Sequence, residues 1–171
     1  MDNSQRSLLA SLSFPVPDQN SGAAAKVLFG RYPGRVNGCG WIAVCNALRL
    51  CDMPFEAEKV IAALSKRLPF RGRFGAMPWR VSSVLRSFGL RVSASARVKR
   101  GLASLQKGDT AIVMGKNAGA PEWHYFALRA LGEGSFELFN AGPARGGYED
   151  LRRLYRMFRI WRIQKQTDAL H

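Results

Sequence analysis

The stretch VNGCGWIAVCNALRL, residues 36–50, decides how the chain is read. Trp41, Val44, Cys45 and Leu48 follow the i, i+3, i+4, i+7 spacing of a helix, and Ile42, Ala43 and Ala47 make its other sides apolar too. A helix with no polar face belongs at the centre of a domain. Its expected start is Cys39, between Gly38 and Gly40. A thiol there meets the positive end of the helix dipole and unpaired backbone N–H groups, both of which favour thiolate. Cysteines activated in this way have pKa values lowered to about 3.5–7.5. The flanking glycines allow a tight turn and close approach of a substrate. Two readings of Cys39 stand at this point: an activated nucleophile, or a packed cysteine at a glycine-flanked helix start.

Outward from this helix the pattern is α+β. Before it, residues 1–25 are polar and proline-containing and read as a flexible N-terminal arm, with one domain over 26–166 and a tail over 167–171. A second helix is expected from about Pro54 to Leu68 with Asp52 as cap, and a third from Pro78 to Phe88 with Gly89 as its stop. Beyond Gly89 the spacing changes. LRVSASARV (90–98) alternates like a strand, LASLQKGD (102–109) reads as a short helix, and TAIVMG (110–115) as a buried strand. WHYFALRAL (123–131) and SFELFNA (135–141) are strands joined by GEG; YEDLRRLY (148–155) is a helix and MFRIWRIQ (157–164) a closing strand. Helices first and an antiparallel sheet second make an α+β layout.

Composition narrows the classes. With 171 residues and 47% apolar content the chain is globular and long enough for one real core. No apolar run approaches the roughly 20 residues needed to cross a bilayer, and no secretory signal is evident, so a cytoplasmic location is expected. Cys39, Cys45 and Cys51 are spaced by six, which turns them to different sides of a helix and argues against a shared metal. One reactive thiol and two packed ones is the simpler account, with no metal or cofactor. The net charge of +14 is concentrated in KRLPFRGRF (66–74), RVKR (97–100) and LRRLYRMFRIWR (151–162). Such a field suits an acidic peptide or nucleic acid, and equally a solvated surface.

Of the two histidines, His171 is the last residue, which leaves His124 as the interior candidate for a base. Alternation puts His124, Phe126 and Leu128 on one face of their strand, and Phe136, Leu138 and Asn140 on one face of the next. A three-residue GEG loop pairs Leu131 with Ser135 and sets Asn140 opposite Phe126, diagonal to His124. Diagonal neighbours lie roughly 7–8 Å apart, and a register shift of two makes them direct partners at about 4.5–5.5 Å. The asparagine oxygen can then accept from one ring N–H and leave the other nitrogen for a thiol. Asn140 can equally begin the turn at NAGP.

NGCGWIAVCNAL, RFGAMPWRVSSVLRSFGLRV, GDTAIVMGKN and EWHYFALRALGEGSFELFNA together resemble the papain-like cysteine peptidases. The similarity is greatest to the small bacterial branch related to bacteriocin-leader-processing (double-glycine) peptidases, over about residues 30–165. The resemblance implies a central helix that carries the nucleophile and packs on a C-terminal antiparallel sheet. It maps Cys39 to the nucleophile, His124 to the general base and acid, and Asn140 to the orienting residue. It also implies a peptide substrate, with small residues, often glycine, before the cut. One departure is plain: family members carry a glutamine a few residues before the nucleophile, and RYPGRVNG has none. Asn37 can donate to the oxyanion beside the Cys39 N–H, or it can cap the helix. Trp41, Trp79 and Trp123 are candidates for lining a cleft, with core packing as the alternative for each. Rival functions are a papain-like module that binds an acidic peptide or nucleic acid, and an amidase or acyltransferase using the same side chains.

Overall fold

In the computed structural model of the chain, residues 1–66, 68, 75–118 and 122–166 are described. The central helix is α3, Cys39–Leu50, and ten of its twelve residues are buried. It is preceded by α1 (Asn3–Ala10), the short strands β1 (Leu28–Phe29) and β2 (Tyr32–Pro33), and a single turn, α2 (Gly34–Asn37). It is followed by α4 (Ala57–Ser65) and α5 (Pro78–Ser87). The second half comprises β3 (Leu90–Ser95), α6 (Val98–Ala103), β4 (Thr110–Asn117), β5 (Trp123–Gly132), β6 (Ser135–Phe139), β7 (Arg145–Gly147), α7 (Tyr148–Leu154) and β8 (Tyr155–Lys165). Strands β3 to β8 form one antiparallel sheet in the order β3-β8-β4-β5-β6-β7. This is the expected α+β arrangement.

Both faces of the sheet are covered, which explains the near-continuous apolar strands. Ile112, Met114, Tyr125, Ala127, Trp161 and Ile163 pack with Trp41, Ile42, Val44 and Leu48 of α3 in the larger core. Val113, Phe126, Leu128, Phe136, Leu138 and Ile160 pack on the other face with α6 and α7. The glycines around Cys39 serve packing. Gly38 and Gly40 are ordinary helical or near-helical positions, but a Cβ at Gly40 would lie 2.4 Å from the Ala76 Cβ, and one at Gly38 would lie 2.4 Å from the Gly34 carbonyl oxygen.

Several expected boundaries move. The second helix begins at Ala57 with Glu56 in the N-cap position, not with Asp52; Asp52 lies in the left-handed region (φ 46°) in the turn after α3, beside Lys165. The strand after Gly89 stops at Ser95, and the short helix falls on Val98–Ala103 rather than 102–109. Val98, Gly101 and Leu102 turn inward there, and the basic residues of RVKR lie outside. Strand β7 was not anticipated, and β8 begins two residues before Met157.

The hairpin shows a compensated error. Its turn is two residues, Glu133 and Gly134, both at positive φ, so that Gly132 pairs with Ser135. A register shift between Ala130 and Gly132 takes up Leu131, and beyond it Ala130 pairs with Phe136 and Ala127 with Phe139, the register expected for the looser loop.

The polar segment before residue 26 lies against the body. Val16, Gln19, Ala24 and Ala25 are buried. Asn46, fully buried on α3, accepts from the Val16 N–H at 2.7 Å and donates to the Val16 carbonyl at 2.8 Å. The one amide of an otherwise apolar stretch of helix is thus satisfied by the N-terminal segment.

Candidate active site

Cys39 occupies the first position of α3, and Gly38 holds the N-cap place without a side-chain cap bond. Asn37 ends α2, buried, two residues before the thiol. The Cys39 sulfur faces the backbone of β5, with its thiol directed at the Trp123 carbonyl oxygen at 3.9 Å. The backbone N–H groups of Tyr125, Gly40 and Cys39 itself surround the sulfur and favour its anion. Burial opposes them and wins: the residue is 6% exposed, and its thiol is pushed up to about 11. A thiol lowered by the helix terminus was expected, and desolvation outweighs that effect. Cys45 and Cys51 are also buried free thiols, raised by burial.

His124 neighbours this point along β5, but its ring lies on the other face of the sheet. It stacks on Tyr155 (5.7 Å between centroids, 8° between planes) and on Phe126 at 6.4 Å, both members of the second core. Its Nε2 is hydrogen-bonded to the backbone carbonyl of Asn140. A carbonyl only accepts, so Nε2 carries the hydrogen and Nδ1 keeps its lone pair. Burial lowers the His124 pKa, while the Asn140 bond and the Asp18 carboxylate oppose that shift. Among the described residues no hydrogen bond joins His124 to Cys39.

Asn140 is brought to His124 through its main chain. The residue ends β6 in the left-handed region (φ 65°), which asparagine tolerates, so it does begin the turn. Its side chain is held elsewhere. Oδ1 accepts from the Gln19 N–H at 2.9 Å, and Nδ2 donates to the Gln19 Oε1 at 2.9 Å and to the Tyr125 carbonyl at 3.3 Å. The Asn140 N–H donates to the Pro17 carbonyl at 2.9 Å, and the Gln19 amide donates to the Arg35 carbonyl at 3.2 Å. Pro17–Gln19 therefore form a clamp on the residue that holds the imidazole. Sequence reasoning missed this segment, because nothing in VPDQNS signals a partner 121 residues away.

The tryptophans divide. Trp41 is core, whereas Trp79 and Trp123 are 66% and 48% exposed. Trp123 lies beside the sulfur and in ring contact with Phe158 at 5.0 Å. Among the described residues no three His, Cys, Asp or Glu side chains converge as metal ligands, and no helix is long and apolar enough to cross a membrane.

No family model matches the chain, and no curated protein does. Similar solved structures exist. The double-glycine-motif protease of an AMS/PCAT transporter, in complex with the leader peptide, superposes with a TM-score of 0.55 at 14% identity, over 75% of this chain and 84% of that one. The peptidase domain of Streptococcus ComA, a bifunctional ABC transporter of a quorum-sensing pathway, gives 0.56 at 11% identity, over 75% and 91%. The Pseudomonas avirulence protein AvrPphB is matched at 0.40 and 13% identity, over 75% and 92%. At these identities the likeness is one of fold: the chain has the fold of the papain-like, double-glycine peptidase domains.

Proposed function

We propose that the protein is a papain-like cysteine peptidase that cleaves a peptide or amide bond, with Cys39 as nucleophile, His124 as base and acid, and Asn140 as the residue that orients His124. The observation that carries this reading is the cradle at Cys39: a thiol at the head of the central helix, near the backbone N–H groups of Cys39 and Gly40 and that of Tyr125 on the strand that bears the imidazole. Such donors stabilise a thiolate, and the Cys39 N–H with the Asn37 amide would receive the oxyanion of a tetrahedral intermediate.

The chemistry runs as acyl transfer. The Cys39 proton passes to His124 Nδ1 as sulfur bonds to the substrate carbonyl carbon. The leaving amine takes that proton from His124, and a thioester remains. Water, deprotonated by His124, then adds to the thioester carbon; the C–S bond breaks, the acid leaves, and the Cys39 sulfur takes the proton back from His124. Stacking on Tyr155 leaves Nδ1 free, but no hydrogen bond joins His124 to Cys39 among the described residues, so on this reading substrate binding must bring the imidazole within reach of the sulfur. The similarity in fold to a double-glycine-motif protease supports a peptide substrate, and we take small residues before the cut as its character. Three free thiols suit a reducing compartment such as the cytoplasm.

A second reading is favoured by one observation. With its thiol pushed up to about 11 and the imidazole on the opposite sheet face, the fold also suits a binding module that has no turnover. One experiment separates the two: incubation with a peptide panel, some members carrying paired glycines, read by mass spectrometry beside Cys39→Ala and His124→Ala. Cleavage lost by about 10²–10⁴ in each variant supports the peptidase. A panel left intact, with Cys39 inert toward a peptidyl electrophile, retires it.

A further inference from the structure

We propose that the sheet surface beside Cys39 is a subsite for an acidic peptide, formed by Trp123 and Phe158 with Lys116, Arg156 and Arg159. In register, Arg156 lies opposite Lys116, and Lys116 lies opposite Trp123, so the three form one row across β8, β4 and β5. Directly paired residues share a face, and this row is two residues on from Met114 and Tyr125, on the face that carries Cys39. Two cations placed directly opposite each other on neighbouring strands cost stability unless an anion lies between them.

Among the described residues no acidic side chain supplies that anion. The ion pairs among the described residues use Arg6, Lys59, Arg129, Arg152 and Lys165; none uses Lys116, Arg156 or Arg159, and Glu122 beside Trp123 pairs with none of them. The cations rest on rings instead. Lys116 Nζ lies 5.6 Å from the Trp123 centroid and the Arg156 guanidinium 5.5 Å from that of Phe158, with the two rings 5.0 Å apart. Arg159 covers Trp161 and acts electrostatically on Tyr125, whose backbone N–H faces the Cys39 sulfur.

An exposed ring, Trp123, beside the half-buried Phe158 and bordered by cations without an acidic partner, fits a short peptide that alternates carboxylate and apolar side chains. The carboxylates would meet Lys116 and Arg156, and an apolar side chain the Trp123–Phe158 pair. The Trp123 carbonyl touches the thiol, so a peptide held here runs to the nucleophile. The subsite's role as a specificity element rests on the peptidase reading; its binding does not.

The test uses the full chain carrying Cys39→Ala, with a fluorescein-labelled peptide of alternating Glu and Leu followed by anisotropy. We expect binding that weakens about tenfold or more in Lys116→Glu/Arg156→Glu and less than about twofold in Arg49→Glu/Arg91→Glu, exposed cations on other elements. The milder Lys116→Gln/Arg156→Gln pair covers any loss of folding by the reversal. No binding, equal weakening by the control pair, or tighter binding of an oligo-dT strand overturns the proposal. In the Cys39-containing chain, binding of this peptide while the glycine-containing panel stays intact and Cys39 is inert toward a peptidyl electrophile keeps the subsite and removes the peptidase. Cleavage that Lys116→Glu/Arg156→Glu leaves unchanged on acidic and neutral peptides alike keeps the peptidase and removes the subsite.

Discussion

A methyl group added at Gly40 would sit 2.4 Å from the Ala76 Cβ, closer than two carbons can stand. Gly40→Ala should therefore cost about 1–3 kcal/mol by overpacking, and Ala76→Gly in the same chain should recover most of it, both read from urea midpoints. Loss without recovery would mean that the glycine is there for backbone freedom. His124 gives a second test at this scale. Its pKa is lowered by burial, so between the folded value and 6.5 the unfolded chain binds more protons. That contribution to stability is complete above about pH 6.5 and is lost as pH falls through the folded value. His124→Asn should therefore show a shallower loss of Tm on acidification than the parent chain; parallel curves would place the titration elsewhere. Cys39 was legible in the sequence as the head of a central helix, and its glycines as signals. What was not legible was burial, because a helix terminus and desolvation act on the same sulfur with opposite sign, and only packing sets which dominates.

Among the elements, α3 was readable from its i, i+3, i+4, i+7 spacing and the β5–β6 hairpin from two strand runs around GEG, although its turn is one residue shorter than expected. The bounds of α4 and α6 were not; neither start is marked by a side-chain cap bond, and both lie several residues from the expected ones. The segment Val16–Gln19 was illegible altogether. Its hydrogen bonds answer two buried asparagines far along the chain, and neither partner leaves a local trace. Its contribution is measurable. Gln19→Ala strips the Asn140 amide of an acceptor and should cost about 1–3 kcal/mol, the range for a buried polar group left unsatisfied. Asp18 favours the charged imidazole, so Asp18→Asn should lower the His124 pKa in an NMR titration. An unchanged value would detach this segment from the site.

For the molecule as a whole, alkaline pH is the stress its interior is least suited to bear. Cys39, Cys45, Cys51 and Tyr125 are all held neutral by burial, with pKa values above their ordinary ones. Above the ordinary thiol value of 9.0 the unfolded chain releases protons that the folded one retains, so stability is whole below that pH and declines as pH climbs toward the folded values. Urea midpoints should fall between about pH 8 and pH 10, and equal midpoints would contradict the sealed thiols.

Strand β8, the last of the described strands in chain order, is inserted between β3 and β4. During synthesis, therefore, β3 waits without its sheet neighbour and β4 waits with one flank bare until residues 155–165 clear the ribosome. Ribosomes that stall a few codons short would release chains displaying two open strand edges, ready to recruit one another, whereas completion seals both with a single ribbon.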